Sequence, residues 1–188
     1  MEWEFTTATA EQTQQLAERL AGMLRAGDLI ILTGGLGAGK TTFTQGLGRS
    51  LGVRPGIISP TFVLVRIHPN LPGGPNPGGP DLVHVDAYRL GSAAEIDDID
   101  LENTMDTSVT VVEWGADRVE HLAANRLEIT LLRTVGSGDA PASGAAWSED
   151  WPDDESDDEP RVLRLRAIGP RWDGADFSVL GQPAKTTD

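Results

Sequence analysis

At 188 residues and 20.0 kDa, the chain has the length of one ordinary domain and enough residues to bury a sizeable core. Its 15 Lys and Arg face 29 Asp and Glu, a formal net charge of -14, which excludes a general phosphate-backbone binder, DNA included, and a polybasic membrane anchor. With no cysteine, disulfides, thiolate metal sites and cysteine nucleophiles are excluded as well.

In chain order, Trp3 to Thr6 reads as a short strand. Thr9 has the place of a helix N-cap, with Gln12 at capping-box spacing. Leu16, Leu20, Met23 and Leu24 follow at helical period until Gly27. Leu29-Ile30-Ile31-Leu32 is a continuous apolar run, as in a strand covered on both faces. Thr42 to Leu51 predicts a helix closed by Gly52. Further strands are expected at Thr61 to Ile67, Leu82 to Asp86, Val109 to Val112, Arg126 to Leu132 and Arg161 to Ala167. Glu95 to Leu101 and Gly115 to Leu122 read as helices. The alternation predicts an α/β fold with a central, mostly parallel sheet flanked by helices and antiparallel additions at its edges.

Two stretches interrupt this pattern. Residues 69–80 are rich in Pro and Gly and cannot hold a helix or a central strand. Residues 149–159 carry eight acids and no base; without them 15 basic residues face 21 acidic ones, a balance of -6. A like-charge block of this kind predicts disorder, and residues 134–160 read as one long surface insertion between two strands. The expected domain spans residues 1–172, with 173–188 as a weakly structured tail. His68, His84 and His121 are scattered without metal-ligand spacing. No apolar run reaches the roughly 20 residues that cross a bilayer. Met1 is followed by Glu2 and Glu4, the opposite of a signal peptide's basic start, so a cytoplasmic protein is expected.

Gly34-Gly35-Leu36-Gly37-Ala38-Gly39-Lys40-Thr41 matches G-x-x-x-x-G-K-[ST]. Glycines let successive N–H groups turn inward toward phosphate oxygens. The helix that follows adds unpaired N–H donors and a positive dipole end. Lys40 brings a full charge to the β- and γ-phosphates, and Thr41 a hydroxyl for Mg²⁺. A glycine-rich chain could produce the pattern by chance. Against that, Lys40 and Lys185 are the chain's two lysines beside thirteen arginines, and one of them sits where the motif requires it.

Chemistry on a bound phosphate needs a held metal and a positioned attacking group. Asp86 ends one short apolar strand and Glu113 ends another, and the carboxyl end of a central strand is where α/β sheets place ligands. Either acid alone could be an ordinary cap or turn residue. Ser59-Pro60-Thr61-Phe62 offers a hydroxyl pair of the kind that senses a γ-phosphate, or else a plain turn. The acids Glu95, Asp97, Asp98, Asp100, Glu102 and Asp106 read as a solvated face, and Arg89 as a phosphate contact or a partner of that face. Trp114 is a core residue by type but a rim residue by position.

Gly-Gly-Leu-Gly-Ala-Gly-Lys-Thr-Thr, then Ser-Pro-Thr-Phe, then His84-Val85-Asp86-Ala87-Tyr88-Arg89-Leu90, then Glu113-Trp114 occur in one order. This set resembles the TsaE (YjeE) family, over about residues 5–133 and the late strand near Arg161. The resemblance implies one P-loop NTPase domain that binds ATP and Mg²⁺ and hydrolyses slowly. It implies work with the TsaB–TsaD pair, which forms the threonylcarbamoyl group on adenosine of tRNA, by ATP-driven resetting of that complex. It implies that Gly37, Ala38, Gly39, Lys40, Thr41 and Thr42 hold the phosphates. Thr41 and Glu113 become Mg²⁺ ligands, with Asp86 supporting metal and water. Lys40, Asp86 and Glu113 are thus the catalytic group; Thr61 belongs to a switch-like loop, Trp114 stands beside the nucleotide, and Ala10 lies near the adenine.

No arginine stands out in the sequence as a finger, so slow hydrolysis alone and acceleration by a partner are expected. The acidic surface leaves tRNA to the partners. A small-molecule or nucleotide kinase would share these motifs, but the insertion that could form its lid is acidic rather than arginine-rich. A non-catalytic nucleotide-binding module would not need the paired strand-end acids. A GTPase would carry an Asn-Lys-x-Asp segment, which the chain lacks.

Overall fold

A computed structural model describes residues 2–90, 92–97, 99–134 and 159–181. Seven strands form one sheet in the order β1-β7-β6-β2-β5-β4-β3. They are β1 (Glu2–Thr7), β2 (Leu29–Thr33), β3 (Val65–His68), β4 (Asp81–Asp86), β5 (Ser108–Glu113), β6 (Arg126–Arg133) and β7 (Arg161–Ile168). The middle four, β6-β2-β5-β4, are parallel; β3 runs antiparallel to β4 at one edge, and β7 and β1 are antiparallel additions at the other. The expected fold class is the one observed.

The apolar run of β2 explains its central place, because strand alternation gives it two apolar faces. Ile30 and Leu32 face helices α1 (Ala10–Ala21) and α2 (Lys40–Leu51), where Leu16, Leu20, Phe43 and Leu47 are buried. Leu29 and Ile31 face the other way, onto Ile96, Leu101 and Met105 of α3 (Ala93–Asp97), α4 (Glu102–Met105) and the turn between them. Each fully buried side chain of this kind stabilises by roughly 1.5–3 kcal/mol. The same alternation aims the polar ends of two strands at α2: Leu82, His84 and Asp86 share one face of β4, and Val109, Val111 and Glu113 share the matching face of β5.

The ends of α1 and α2 follow from their caps. Thr9 accepts the N–H of Gln12 at 3.2 Å, and the Gln12 side chain reaches back to the N–H of Ala8 at 2.8 Å. The helix stops at Ala21 rather than running on to Gly27; Met23 and Leu24 lie in the turn beyond its Gly22 cap. α2 starts two residues earlier than expected, at Lys40, and Gly52 (φ 76°) closes it by donating to Arg49 and Gly48. Gly46 lets α1 and α2 touch: a Cβ there would lie 2.3 Å from the Gln14 carbonyl oxygen and 2.9 Å from the Ala17 Cβ.

Several expected elements are shorter or differ. Residues 61–64 form a turn, not strand, because the Ser59 and Thr61 hydroxyls bond a carboxylate and Leu64 takes a positive φ of 65° before β3 begins. The helix expected at 95–101 is two short ones, broken at Asp100 (φ 55°). Residues 115–122 make a turn and a 3₁₀ segment, Glu120–Leu122, with Asp117 at φ 63°. The Pro/Gly stretch is pinned by Asn70, whose side-chain NH₂ donates to the carbonyls of Leu51 and Asn76, both at 2.8 Å. The tail reading fails for residues 173–181: Phe177–Gly181 is a 3₁₀ segment that buries Phe177 and Leu180 beside Trp172 and α1. Residues 135–158, within the expected disordered insertion, and 182–188 lie outside the described residues.

Candidate nucleotide site

The glycine-rich loop leaves the carboxyl end of β2 and enters α2 through Gly39, whose φ of 96° is a conformation that favours glycine. Above it lies a cleft of about 340 Å³ lined by Leu36 to Thr42, Ser59, Thr61, Asp86, Glu113, Trp114 and Arg161. Volume does not single it out, since a more apolar groove of about 390 Å³ lies between Gln45, Arg54 and Pro75. What distinguishes the cleft is its chemistry, with helix N-terminal donors, a lysine and two strand-end acids converging on one space.

Lys40 is nearly buried, and its ammonium donates to the carbonyls of Gly34 and Gly35, both at 3.0 Å. Burial pushes its pKa below the usual lysine value, while Glu113 and Asp86 pull it back up. The Thr41 hydroxyl donates to Glu113 Oε1 at 3.0 Å, joining the first turn of α2 to the end of β5. Asp86, beside Glu113 in register, accepts from Thr61 at 2.5 Å and Ser59 at 3.1 Å through Oδ2, and from the Tyr88 N–H at 2.9 Å through Oδ1. The Ser59–Thr61 loop is therefore tied to a carboxylate at the mouth. Trp114 leaves β5 with φ 61°, so its ring lies under Lys40, 3.9 Å from the ammonium, with Tyr88 edge-on to it.

The structure brings Gly37, Ala38, Gly39, Lys40, Thr41, Thr42, Thr61, Asp86, Glu113 and Trp114 to one cleft. Ala10 does not line it; it is the first residue of α1. Two side chains escaped sequence reasoning. Arg161, nearly buried at the start of β7, flanks the loop so closely that a Cβ on Gly39 would lie 3.1 Å from its Nε. His84, fully buried on β4, contacts Glu113 Oε1 through Nε2 at 2.8 Å. Arg161 carries no local signal, because the β6–β7 register brings it there. His84 could have been found by counting two residues back from Asp86 along the same strand face.

Thr41, Glu113 and Asp86 offer one hydroxyl and two carboxylates. That hard oxygen set fits Mg²⁺, which shares its ligands with substrate phosphate rather than occupying an all-protein cage. Among the described residues no three His, Asp or Glu side chains form such a cage.

A phosphate loop between a central parallel strand and its helix, with acids ending two adjacent strands, defines the P-loop class of nucleotide-binding domains. A family model described as threonylcarbamoyl adenosine biosynthesis protein TsaE matches residues 7–138, and the chain belongs to that family. It is 46% identical over 168 residues to the tRNA threonylcarbamoyladenosine biosynthesis protein TsaE of Streptomyces coelicolor, covering 89% of this chain and 98% of the relative. The protein of that name from Mycobacterium tuberculosis is 40% identical over 148 residues, 76% of this chain and 85% of the relative. The crystal structure of Bacillus subtilis YdiB superposes with a TM-score of 0.62 at 26% identity, covering 96% of this chain and 91% of that one.

Proposed function

We propose that this chain is the ATP-binding, ATP-hydrolysing member of the machinery that places threonylcarbamoyl on adenosine of tRNA, acting with the TsaB–TsaD pair. Family membership supports this, and the comparisons give no support to the kinase reading. The observation that carries the catalytic part is the Thr41–Glu113 contact, a hydroxyl and a buried carboxylate meeting beside the phosphate loop. Among the described residues no helix is long and apolar enough to cross a membrane.

The loop N–H groups from Gly37 to Thr42 and the α2 N-terminus receive the phosphates, and Lys40 offsets charge on the β- and γ-groups. A bound Mg²⁺ would supply further positive charge toward the phosphates. Thr41 and Glu113 would hold it, while Asp86, which carries the Ser59–Thr61 loop, would orient water. That loop is the switch element, because its hydroxyls can exchange the Asp86 carboxylate for the γ-phosphate region. Arg161 adds a cation beside Gly39 in cis. Trp114 stands beside the nucleotide, and Ala10, outside this cleft, is the adenine-side residue by family likeness.

The test is phosphate release from ATP by the purified protein, alone and with the purified TsaB–TsaD pair. Stimulation by the pair, absent from Lys40→Ala, is expected. Phosphate transfer to an added small-molecule acceptor, without stimulation by the pair, would overturn the reading.

A further inference from the structure

We infer that His84 is a positioning residue for the nucleotide-site carboxylate, fixing Glu113 from inside the sheet so that it meets Thr41 and the metal. The inference rests on the reading of Glu113 as a metal-holding carboxylate. His84 lies on β4 two residues before Asp86 and Glu113 ends β5; the register sets His84 opposite Val111 and Asp86 opposite Glu113. His84 and Glu113 are thus a diagonal pair on one face, within reach of long side chains. Nε2 to Oε1 is 2.8 Å, and both residues are buried, at 0% and 3% exposure.

The chemistry fixes the direction of that bond. An ionised carboxylate can only accept, so Nε2 carries the proton and donates. His84 Nδ1 has no hydrogen-bond partner among the described residues, so the bond to Glu113 is the polar interaction this ring makes. A fully buried imidazole that gives up one nitrogen's bonding and aims the other at the site acid is oriented for that acid. Both donors, Thr41 and His84, converge on the same oxygen, Oε1. A metal on Thr41 would take a lone pair of its hydroxyl and leave the O–H donating to Glu113, so Thr41 would hold the acid from the helix side and His84 from inside the sheet. Holding a ligand by a neighbour's hydrogen bond is how metal sites set ligand orientation, and loss of such a neighbour typically weakens metal binding about 10–100-fold.

The test compares His84→Gln, whose amide nitrogen reaches as far as Nε2, with His84→Asn, which falls short of Glu113, and with Glu113→Gln. Two readouts are taken on each folded protein. One is ADP affinity without metal, from tryptophan emission; the other is the Mg²⁺ concentration that half-saturates the metal-dependent part of that signal. In His84→Asn the Mg²⁺ midpoint rises about tenfold or more while metal-free ADP affinity stays within about twofold. In His84→Gln the midpoint returns toward the parent value. Equal Mg²⁺ midpoints in Asn, Gln and parent proteins overturn the inference, as does parallel loss of metal-free affinity in both variants, which marks a packing role. If Glu113→Gln itself leaves the midpoint unmoved, the reading of Glu113 as metal ligand fails. A Glu113 effect without a His84 effect removes the inference alone.

Discussion

The Lys40 ammonium rests 3.9 Å above the centre of the Trp114 ring, with its bonds directed to the Gly34 and Gly35 carbonyls. The proposed phosphate-binding cation is held by two carbonyl dipoles and a π-face, each weaker than a charge-assisted bond to a phosphate oxygen. Nucleotide binding should draw Lys40 from the ring and change Trp114 emission. Lys40→Ala should weaken nucleotide affinity about 10–100-fold, the range of a charge-assisted hydrogen bond of about 1.5–3 kcal/mol. A fluorescence titration checks this, and a Trp114→Phe protein with the same nucleotide-dependent signal would assign it to another tryptophan.

Glu113→Ala should keep nucleotide binding and lose hydrolysis by about 100-fold or more, since the loop and Lys40 remain while the strand-end acid is gone. The same change strands the Thr41 hydroxyl and the His84 imidazole, so melting should fall by an amount corresponding to about 1–3 kcal/mol. Single-turnover phosphate release and a melting curve on one preparation separate the two effects. Hydrolysis at the parent rate would reject the assignment.

Gly46→Ala should destabilise the fold even though alanine is the better helix former by about 1 kcal/mol. The added Cβ meets the Gln14 backbone, which cannot rotate away, so α1 must shift from α2, at a cost of roughly 1–3 kcal/mol. The readout is urea unfolding, where a midpoint at or above the parent value would show that the crossing yields.

Stability should decline on acidification in a way traceable to His68. This buried ring has its pKa lowered from 6.5 by burial first, and then by His84, Arg66 and Arg54. A base with a lower folded pKa binds its proton better when unfolded. Its contribution to stability is therefore complete above pH 6.5 and is lost as pH falls from there through the folded pKa. Thermal melting between about pH 7.5 and 5 should show a flatter decline for His68→Leu than for the parent. Identical slopes would count against it.

The phosphate loop, both strand-end acids and the parallel centre were legible because each is written locally: glycine spacing, a carboxylate after an apolar run, two apolar faces on Leu29–Leu32. The boundaries that slipped were decided elsewhere in the molecule. Thr61 to Leu64 carry strand-forming residues, yet Asp86 takes the hydroxyls of Ser59 and Thr61 and bends the segment into a turn. Phe177 and Leu180 sit in a Gly- and Asp-flanked stretch that looks like a tail, and the hydrophobic surface that receives them is built by β1 and α1, far back in the chain. Arg161 reaches the loop through its register opposite Arg133, a pairing no local pattern shows.

The edge pairing of β1 with β7 joins segments far apart in the sequence. Glu2 stands opposite Arg166, and Glu4 pairs with Arg164 at 2.8 Å, so β1 can be placed only once the distant β7 is there to receive it. Contacts this distant in sequence form late, after the entropy of closing the whole loop has been met. Arg161, which walls the cleft beside Gly39, arrives with that final strand. A chain folded only around its glycine-rich motif therefore lacks the cleft wall that Arg161 supplies, which comes with the β7 pairing.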